Sequence, residues 1–166
     1  MKNIKIGLAG FGTVGRGTWE LFEKNKEKIE RSSKIKISIV AVADPDNSKF
    51  ESVGIHSACH VYSDAFQLLK DKSIDIVIEL IGGETVAKEF VISAIRERKM
   101  VVTANKALLA KCGKQIFSEA VNHGVGVFYE AAIAGGIPIV KVLKEGLAAN
   151  EIIWISGIIN GTTNYI

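Results

Sequence analysis

Five apolar, β-branched runs, at residues 4–9, 35–43, 74–81, 100–103 and 125–129, are separated by stretches whose apolar positions recur every three or four residues. The first pattern predicts buried strands and the second amphipathic helices, so the chain reads as repeated strand–helix–strand units. Val14, Thr18, Leu21 and Phe22 share one helical face, Val86, Phe90 and Ala94 a second, and Ile116, Ala120 and Val121 a third. Each stripe is expected to cover a sheet. The run Asp75-Ile-Val-Ile-Glu-Leu-Ile81 shows almost no polar alternation, which implies burial on both faces, as in a parallel sheet between layers of crossover helices. A weaker strand at residues 58–62 brings the expected count to six. The charged stretch at residues 23–36 reads as a solvated helix end and loop.

After Glu130 the pattern changes. Ala134-Gly-Gly-Ile-Pro138 interrupts it, and a helical segment at 139–147 leads into an expected strand at 152–159. The reading is an α/β domain over residues 1–132 and the start of a second, α+β domain over 133–166. Because the sequence stops at Asn160-Gly-Thr-Thr-Asn-Tyr-Ile166, just after an apolar strand with no partner in sight, it is expected to be the leading part of a longer chain.

Composition narrows the class. With 166 residues, 48% apolar, 16 Gly and 2 Pro, the chain suits one ordinary core and excludes a low-complexity or collagen-like protein. The net charge of +3 is modest and its basic residues are dispersed, so nothing resembles the footprint of a nucleic-acid binder, while small acidic molecules remain compatible. No apolar run approaches a bilayer span, and the first ten residues lack a signal peptide's features; a cytoplasmic protein without a membrane partner is expected. Cys59 and Cys112 are expected to be free thiols.

The first strand runs straight into Gly10-Phe-Gly-Thr-Val-Gly15, followed by a helical pattern. In that setting G-x-G-x-x-G is a dinucleotide fingerprint: Gly10 for the tight turn, Gly12 for close approach of a pyrophosphate, Gly15 for packing of helix on strand. The helix start then offers free N–H donors to the anion. This makes the expected sheet Rossmann-type and doubly wound. The second strand ends at Asp44, where a carboxylate can accept from a ribose diol, or simply open the turn Asp44-Pro-Asp-Asn47. Glu79, inside an apolar strand, is either a satisfied core acid or part of a site wall. Gly82 and Gly83 follow at the carboxyl edge, suited to close cofactor approach or to a plain turn. Asn105 is a candidate N-cap. Lys106 then opposes the helix dipole, which helix stability does not explain and an anionic ligand would; a snorkelling surface lysine is the bland alternative. His56-Ser-Ala-Cys-His60 lacks a fourth ligand for zinc and reads as a surface loop, and His123 as a helix end.

These motifs together resemble homoserine dehydrogenase: the Gly10–Gly15 loop, Glu79-Leu-Ile-Gly-Gly83, Val102-Thr-Ala-Asn-Lys106, Glu130-Ala-Ala-Ile-Ala-Gly-Gly-Ile-Pro138 and Ser156-Gly-Ile-Ile-Asn-Gly-Thr-Thr-Asn164. The first is generic; the last three, in this order and separation, are specific. The resemblance covers essentially the whole chain. It implies an NAD- or NADP-dependent enzyme that interconverts L-homoserine and L-aspartate 4-semialdehyde by hydride transfer, on the route to threonine and methionine, and that dimerises through its substrate domain. It places the cofactor on Phe11, Gly12, Thr13 and Val14, with Thr103 and the catalytic candidate Lys106 near the nicotinamide and substrate. It also implies a monovalent cation, sodium or potassium, held by the Glu130 carboxylate and the carbonyls of Ile133, Gly135 and Ile137; a glycine hinge there is the plainer alternative. In the family the acid/base lysine and the carboxylates that hold the substrate amine lie beyond residue 166. Many members carry an arginine just after the second strand that meets an NADP 2′-phosphate; here Pro45 follows Asp44, so NAD is expected to be slightly preferred.

Two rival readings differ in class. A non-catalytic nucleotide-sensing module would need a docking surface, and none is legible in the sequence. A phosphorylating semialdehyde dehydrogenase would need a nucleophilic cysteine, and neither Cys59 nor Cys112 has that setting.

Overall fold

The computed structural model, which describes residues 3–51, 53, 55 and 59–157, contains one six-stranded sheet. Its strands are β1 (Asn3–Ala9), β2 (Lys36–Ala43), β3 (His60–Tyr62), β4 (Ile76–Glu79), β5 (Met100–Thr103) and β6 (Val127–Phe128). The spatial order is β3-β2-β1-β4-β5-β6, every neighbouring pair parallel. The chain therefore winds outward from β1 in one direction, crosses back, and winds outward from β4 in the other. This is the doubly wound, Rossmann-type sheet the sequence predicts. Register aligns Tyr62, Ala43, Ala9, Glu79 and Thr103 in one row at the carboxyl edge.

The connections are α1 (Thr13–Ser33), α2 (Ser48–Glu51), α3 (Gln67–Lys70), α4 (Thr85–Arg96) and α5 (Lys106–His123). Alternate strand residues feed two apolar clusters: Ala9, Ala41, Val77 and Val101 pack with Phe90, Ile95, Leu108 and Ile116, whereas Leu8 and Val42 pack with Phe11, Trp19, Phe50 and Ile55. Both faces of the sheet are thus covered, which is why its strands lack polar alternation.

The stripe expected on α1 is one residue out of phase. Its buried face is Gly15 and Trp19, with Phe22 half-buried, while Val14 and Leu21 stand 59% and 65% exposed. Gly15 decides this, because a Cβ there would collide with the Gly10 carbonyl; the bare glycine lets the helix lie on the strand along that edge. On α4 and α5 the covering faces hold as expected at Phe90, Ala94, Ile116 and Ala120, but Val86 and Val121 are exposed. The charged stretch at 23–36 is also more ordered than expected. It extends α1 to 21 residues, with i,i+4 pairs Arg16–Glu20 and Glu27–Arg31 along its exposed side. Lys34 then ends it in the left-handed region, φ 57°, donating its N–H to the Glu30 carbonyl.

Beyond β6 a 3₁₀ turn (Glu130–Ala132) leads to α6 (Ile139–Lys141), continued by one wide turn over Val142–Gly146. The strand expected at 152–159 does not form over 152–156, and Ile158 and Ile159 lie outside the described residues. Ile153 and Trp154 are 89% and 76% exposed. An apolar run becomes a strand only when a neighbour takes its backbone N–H and C=O groups, and no strand among the described residues does so.

Candidate functional site

The sheet order reverses between β1 and β4, and open α/β sheets bind ligands at that point, outside the carboxyl ends of the strands. Two cavities lie there, and Gly82 lines both. The larger, about 580 Å³, is walled on the β2 side by Asp44, Pro45 and Lys49 and on the β4 side by Gly82, Glu84 and Val86. The smaller, about 220 Å³, is walled by Val14, Glu79, Leu80, Gly82, Ala104, Asn105 and Lys106. Together they make a trough across the start of α1.

The glycine loop is shaped to serve it. Gly10 has φ +95° and donates its N–H to the Ala43 carbonyl at 2.8 Å; a Cβ there would strike the Leu80 backbone where β4 ends. By contrast, a Cβ on Gly12 would meet nothing within 4 Å, so this position opens onto free space. No side chain caps α1, and no acidic residue sits in its first turn. An uncapped helix start with open space before it fits the pyrophosphate of a dinucleotide. Thr13 and Val14 are exposed at this start, whereas Gly15 is buried beneath it. Phe11 differs from its expected part. Its ring is 2% exposed and packs on Phe50, centroids 5.1 Å apart, and its N–H is taken by Asp44.

Asp44 is 5% exposed and fully engaged. Its Oδ2 accepts from the Phe11 N–H at 2.7 Å, and its Oδ1 accepts from the Asp46 N–H at 3.0 Å and from Lys49 Nζ at 2.7 Å. Burial alone would push its pKa up, but the Lys49 ammonium and the Asp46 and Phe11 amides outweigh it and hold the carboxyl below the ordinary aspartate range. Asp44 thus opens its turn as the plainer reading expects, and it also lines the larger cavity. Lys49 escaped the sequence reading, since a lysine in a polar turn five residues past the strand looks like any solvated cation.

On the other side, Glu79 is a satisfied core acid that also lines the smaller cavity. It is fully buried; Oε2 accepts from the Thr103 hydroxyl at 2.6 Å, and Oε1 accepts from the N–H groups of Ile81 at 2.9 Å and Gly82 at 3.3 Å. Thr103 Oγ1 in turn accepts from the Asn105 N–H, and Asn105 Nδ2 donates to the Gly83 carbonyl at 2.6 Å. Asn105 also caps α5 as predicted, accepting from the Leu108 N–H. Thr103 is therefore buried, wholly used in holding the ends of β4 and β5 together, and lines neither cavity. Lys106 is exposed at the smaller cavity and makes no side-chain ion pair among the described residues.

Glu130 lies apart from the trough. Its carboxylate accepts from the N–H groups of Val140 at 2.9 Å and Lys141 at 3.1 Å, capping the start of α6. Ile133 is half-buried, Gly135 and Ile137 are exposed, and Ala134 between them has φ +55°. Each Glu130 carboxylate oxygen thus already takes one amide, and the Ile137 carbonyl accepts from the Ile139 N–H at 2.8 Å; the donor types in this segment are oxygens, the kind a hard cation takes. Burial pushes the Cys59 thiol up to about 11, with Glu23 adding to it, which removes it as a nucleophile at neutral pH. His123 ends α5, its ring against the Glu119 carbonyl at 2.9 Å, while His56 lies outside the described residues. No helix among the described residues is long and apolar enough to cross a membrane.

The family model described as "Homoserine dehydrogenase, NAD binding domain" matches residues 10–130, and a second, described as "Homoserine dehydrogenase", matches residues 138–166. Among curated relatives, homoserine dehydrogenases of Pseudomonas aeruginosa and Neisseria gonorrhoeae are 47% and 49% identical over the full chain. The chain spans 38% of the length of each. A crystal structure of a homoserine dehydrogenase from Thiobacillus denitrificans superposes with a TM-score of 0.89 at 48% identity, over 99% of this chain and 38% of that one.

Proposed function

Because this chain belongs to the homoserine dehydrogenase family, we propose that it is the dinucleotide-binding part of an enzyme that interconverts L-homoserine and L-aspartate 4-semialdehyde. The observation that supports this most directly is the trough at the strand-order reversal, with an uncapped helix start in its middle and, at one end, a lysine without an ion pair among the described residues. A nicotinamide dinucleotide bound there would supply hydride transfer. The chain's own groups do the rest. The open Gly12 position and the first turn of α1, at Thr13 and Val14, receive the pyrophosphate, while Gly10 and Gly15 bring that turn against β1 and Phe11 secures Asp44. Asp44 accepts from the ribose hydroxyls, and because its carboxylate stands there NAD is slightly favoured over NADP. Gly82 lets the dinucleotide pass between the two cavities, and Thr103 fixes the rim through Glu79. Lys106 carries its ammonium to the substrate end, where it stabilises negative charge growing on the carbonyl oxygen.

Residues 1–132 form the cofactor domain in this reading, and 133–166 begin a substrate domain that supplies the acid/base, shields the reaction from water and forms a homodimer. Glu130, with the carbonyls of Ile133, Gly135 and Ile137, holds sodium or potassium at the junction. The substrate is a small amino acid, the setting is the cytoplasmic synthesis of threonine and methionine, and nucleic acid and membrane have no part.

Calorimetric titration of the 166-residue chain with NADH tests the reading. Saturable binding, weakened when Gly12→Asp places a carboxylate at the helix start, is the expected result; no binding at millimolar cofactor overturns it. The chain alone should not oxidise homoserine, whereas a longer protein that contains it should. Turnover by the chain alone would show that the acid/base has been misplaced.

A further inference from the structure

A carboxylate at the end of the second strand is the usual reason for a dinucleotide site to refuse a 2′-phosphate. Here that carboxylate does not stand alone. Lys49 Nζ lies 2.7 Å from Asp44 Oδ1, and the Phe11 and Asp46 amides complete the shell of an anion whose charge is already met. Lys49 is also the one cation among the described residues that line the larger cavity. The acids that share this wall are occupied elsewhere: Asp64 accepts from the Phe66 N–H, and Glu84 pairs with Lys111.

We propose that Lys49 is a specificity-determining residue that admits a 2′-phosphorylated dinucleotide, so that the Asp44–Lys49 pair serves both cofactors. The inference rests on the dinucleotide-binding reading above and adds to it the residue that makes the preference for NAD slight. An ammonium has three donors, and the Asp44 contact uses one. The Lys49 side chain is 38% exposed while that of Asp44 is 6% exposed, so the cation faces the cavity and the carboxylate is the enclosed member. With a ribose diol in place, Asp44 Oδ atoms accept from the hydroxyls and Lys49 stays on Asp44. With a 2′-phosphate, Lys49 turns its free donors onto the phosphate oxygens and Asp44 remains held by the two amides. The backbone keeps the lysine in reach: its neighbour Phe50 is fully buried against Phe11, which fixes α2 beside the glycine loop.

The test uses two nucleotides without nicotinamide, AMP and adenosine 2′,5′-bisphosphate, titrated calorimetrically into the 166-residue chain. Lys49→Met should weaken the bisphosphate about tenfold or more relative to AMP, the loss expected for one charge-assisted phosphate contact. Lys49→Arg should restore the ratio, and Asp44→Asn should shift it toward the bisphosphate. Circular dichroism confirms that each variant is folded; should Lys49→Met fail to fold, Lys49→Gln replaces it. Equal effects of the Lys49 substitution on both nucleotides, or none on either, would overturn the role of Lys49 while leaving the dinucleotide site standing. If the unaltered chain binds neither nucleotide at millimolar concentration, the dinucleotide reading itself falls, and this inference with it.

Discussion

At the β2 end of the trough, Asp44 and Lys49 satisfy one another, and backbone amides absorb what charge remains. At the β5 end, Glu79 is consumed by the Thr103 hydroxyl and two amides, which leaves Lys106 without a counter-ion among the described residues. Each end carries a buried acid and a base on its wall, yet among the described residues only the β2 end pairs the two. A neutral pair costs little when a polar ligand arrives, and it suits recognition. An unpaired cation at a helix start raises the energy of the empty site, and it suits chemistry in which negative charge appears.

The sharpest way to break this contrast is to remove the unpaired cation. In a longer protein that turns over homoserine, Lys106→Ala should lower kcat/KM by roughly a hundredfold or more, the effect of losing one strong electrostatic donor worth about 3 to 4 kcal/mol. The thermal midpoint should hold, because the side chain has no ion pair to lose; unfolding would mean that it has one outside the described residues. Glu79→Ala should do the reverse to the 166-residue chain. It leaves the buried Thr103 hydroxyl and the part-buried Ile81 and Gly82 amides without this acceptor, costing about 2 kcal/mol and lowering the midpoint by roughly 4 to 8 °C. A midpoint within a degree of the parent's would show that water reaches those groups.

Asp44 offers a subtler test through pH. Its pKa is lowered in the folded chain, so its carboxylate stabilises the fold above the unfolded aspartate value of about 4, and that contribution is lost as pH falls through the lowered folded value. Asp44→Asn should be less stable than the parent at pH 7 by about 1 to 2 kcal/mol, and the gap should narrow below about pH 4. Denaturant melts at pH 7 and pH 3 read it directly; a constant gap would mean that the loss is one of shape rather than charge. The smallest effect belongs to Ala134, held at φ +55°. Ala134→Gly relieves strain of about 1 to 2 kcal/mol but loosens the unfolded chain by about 0.4 to 1 kcal/mol, for a net gain between zero and about 1.6 kcal/mol, read in a denaturant melt.

The sheet was legible in the sequence because burial on both faces leaves an apolar signature that no helix or loop interrupts, and β5 ends at Thr103 as its run predicts. The fingerprint loop was legible because Gly10 and Gly15 each answer a steric need of the fold. Three features were not. The phase of α1 follows a missing side chain at Gly15 rather than the hydrophobic positions around it, so Val14 and Leu21 misled. Helix persists through residues 23–33 because Phe22 packs on the core and Glu30 accepts from the Ile37 N–H of β2, while charged partners pair along the outer side. Lys49 and Phe50 matter only once α2 has been folded back over the glycine loop, a long-range fact that no local pattern encodes.

The contact between Phe11 and Phe50 also bears on redesign. It couples the glycine loop to the turn at residues 44–51, so the two form one packing unit. Grafting a different turn at residues 44–51 to change cofactor choice would carry its own aromatic, and position 11 would have to be chosen with it. Libraries that vary Asp44 and Lys49 while holding Phe11 and Phe50 constant should yield more folded members than loop exchanges of the same length.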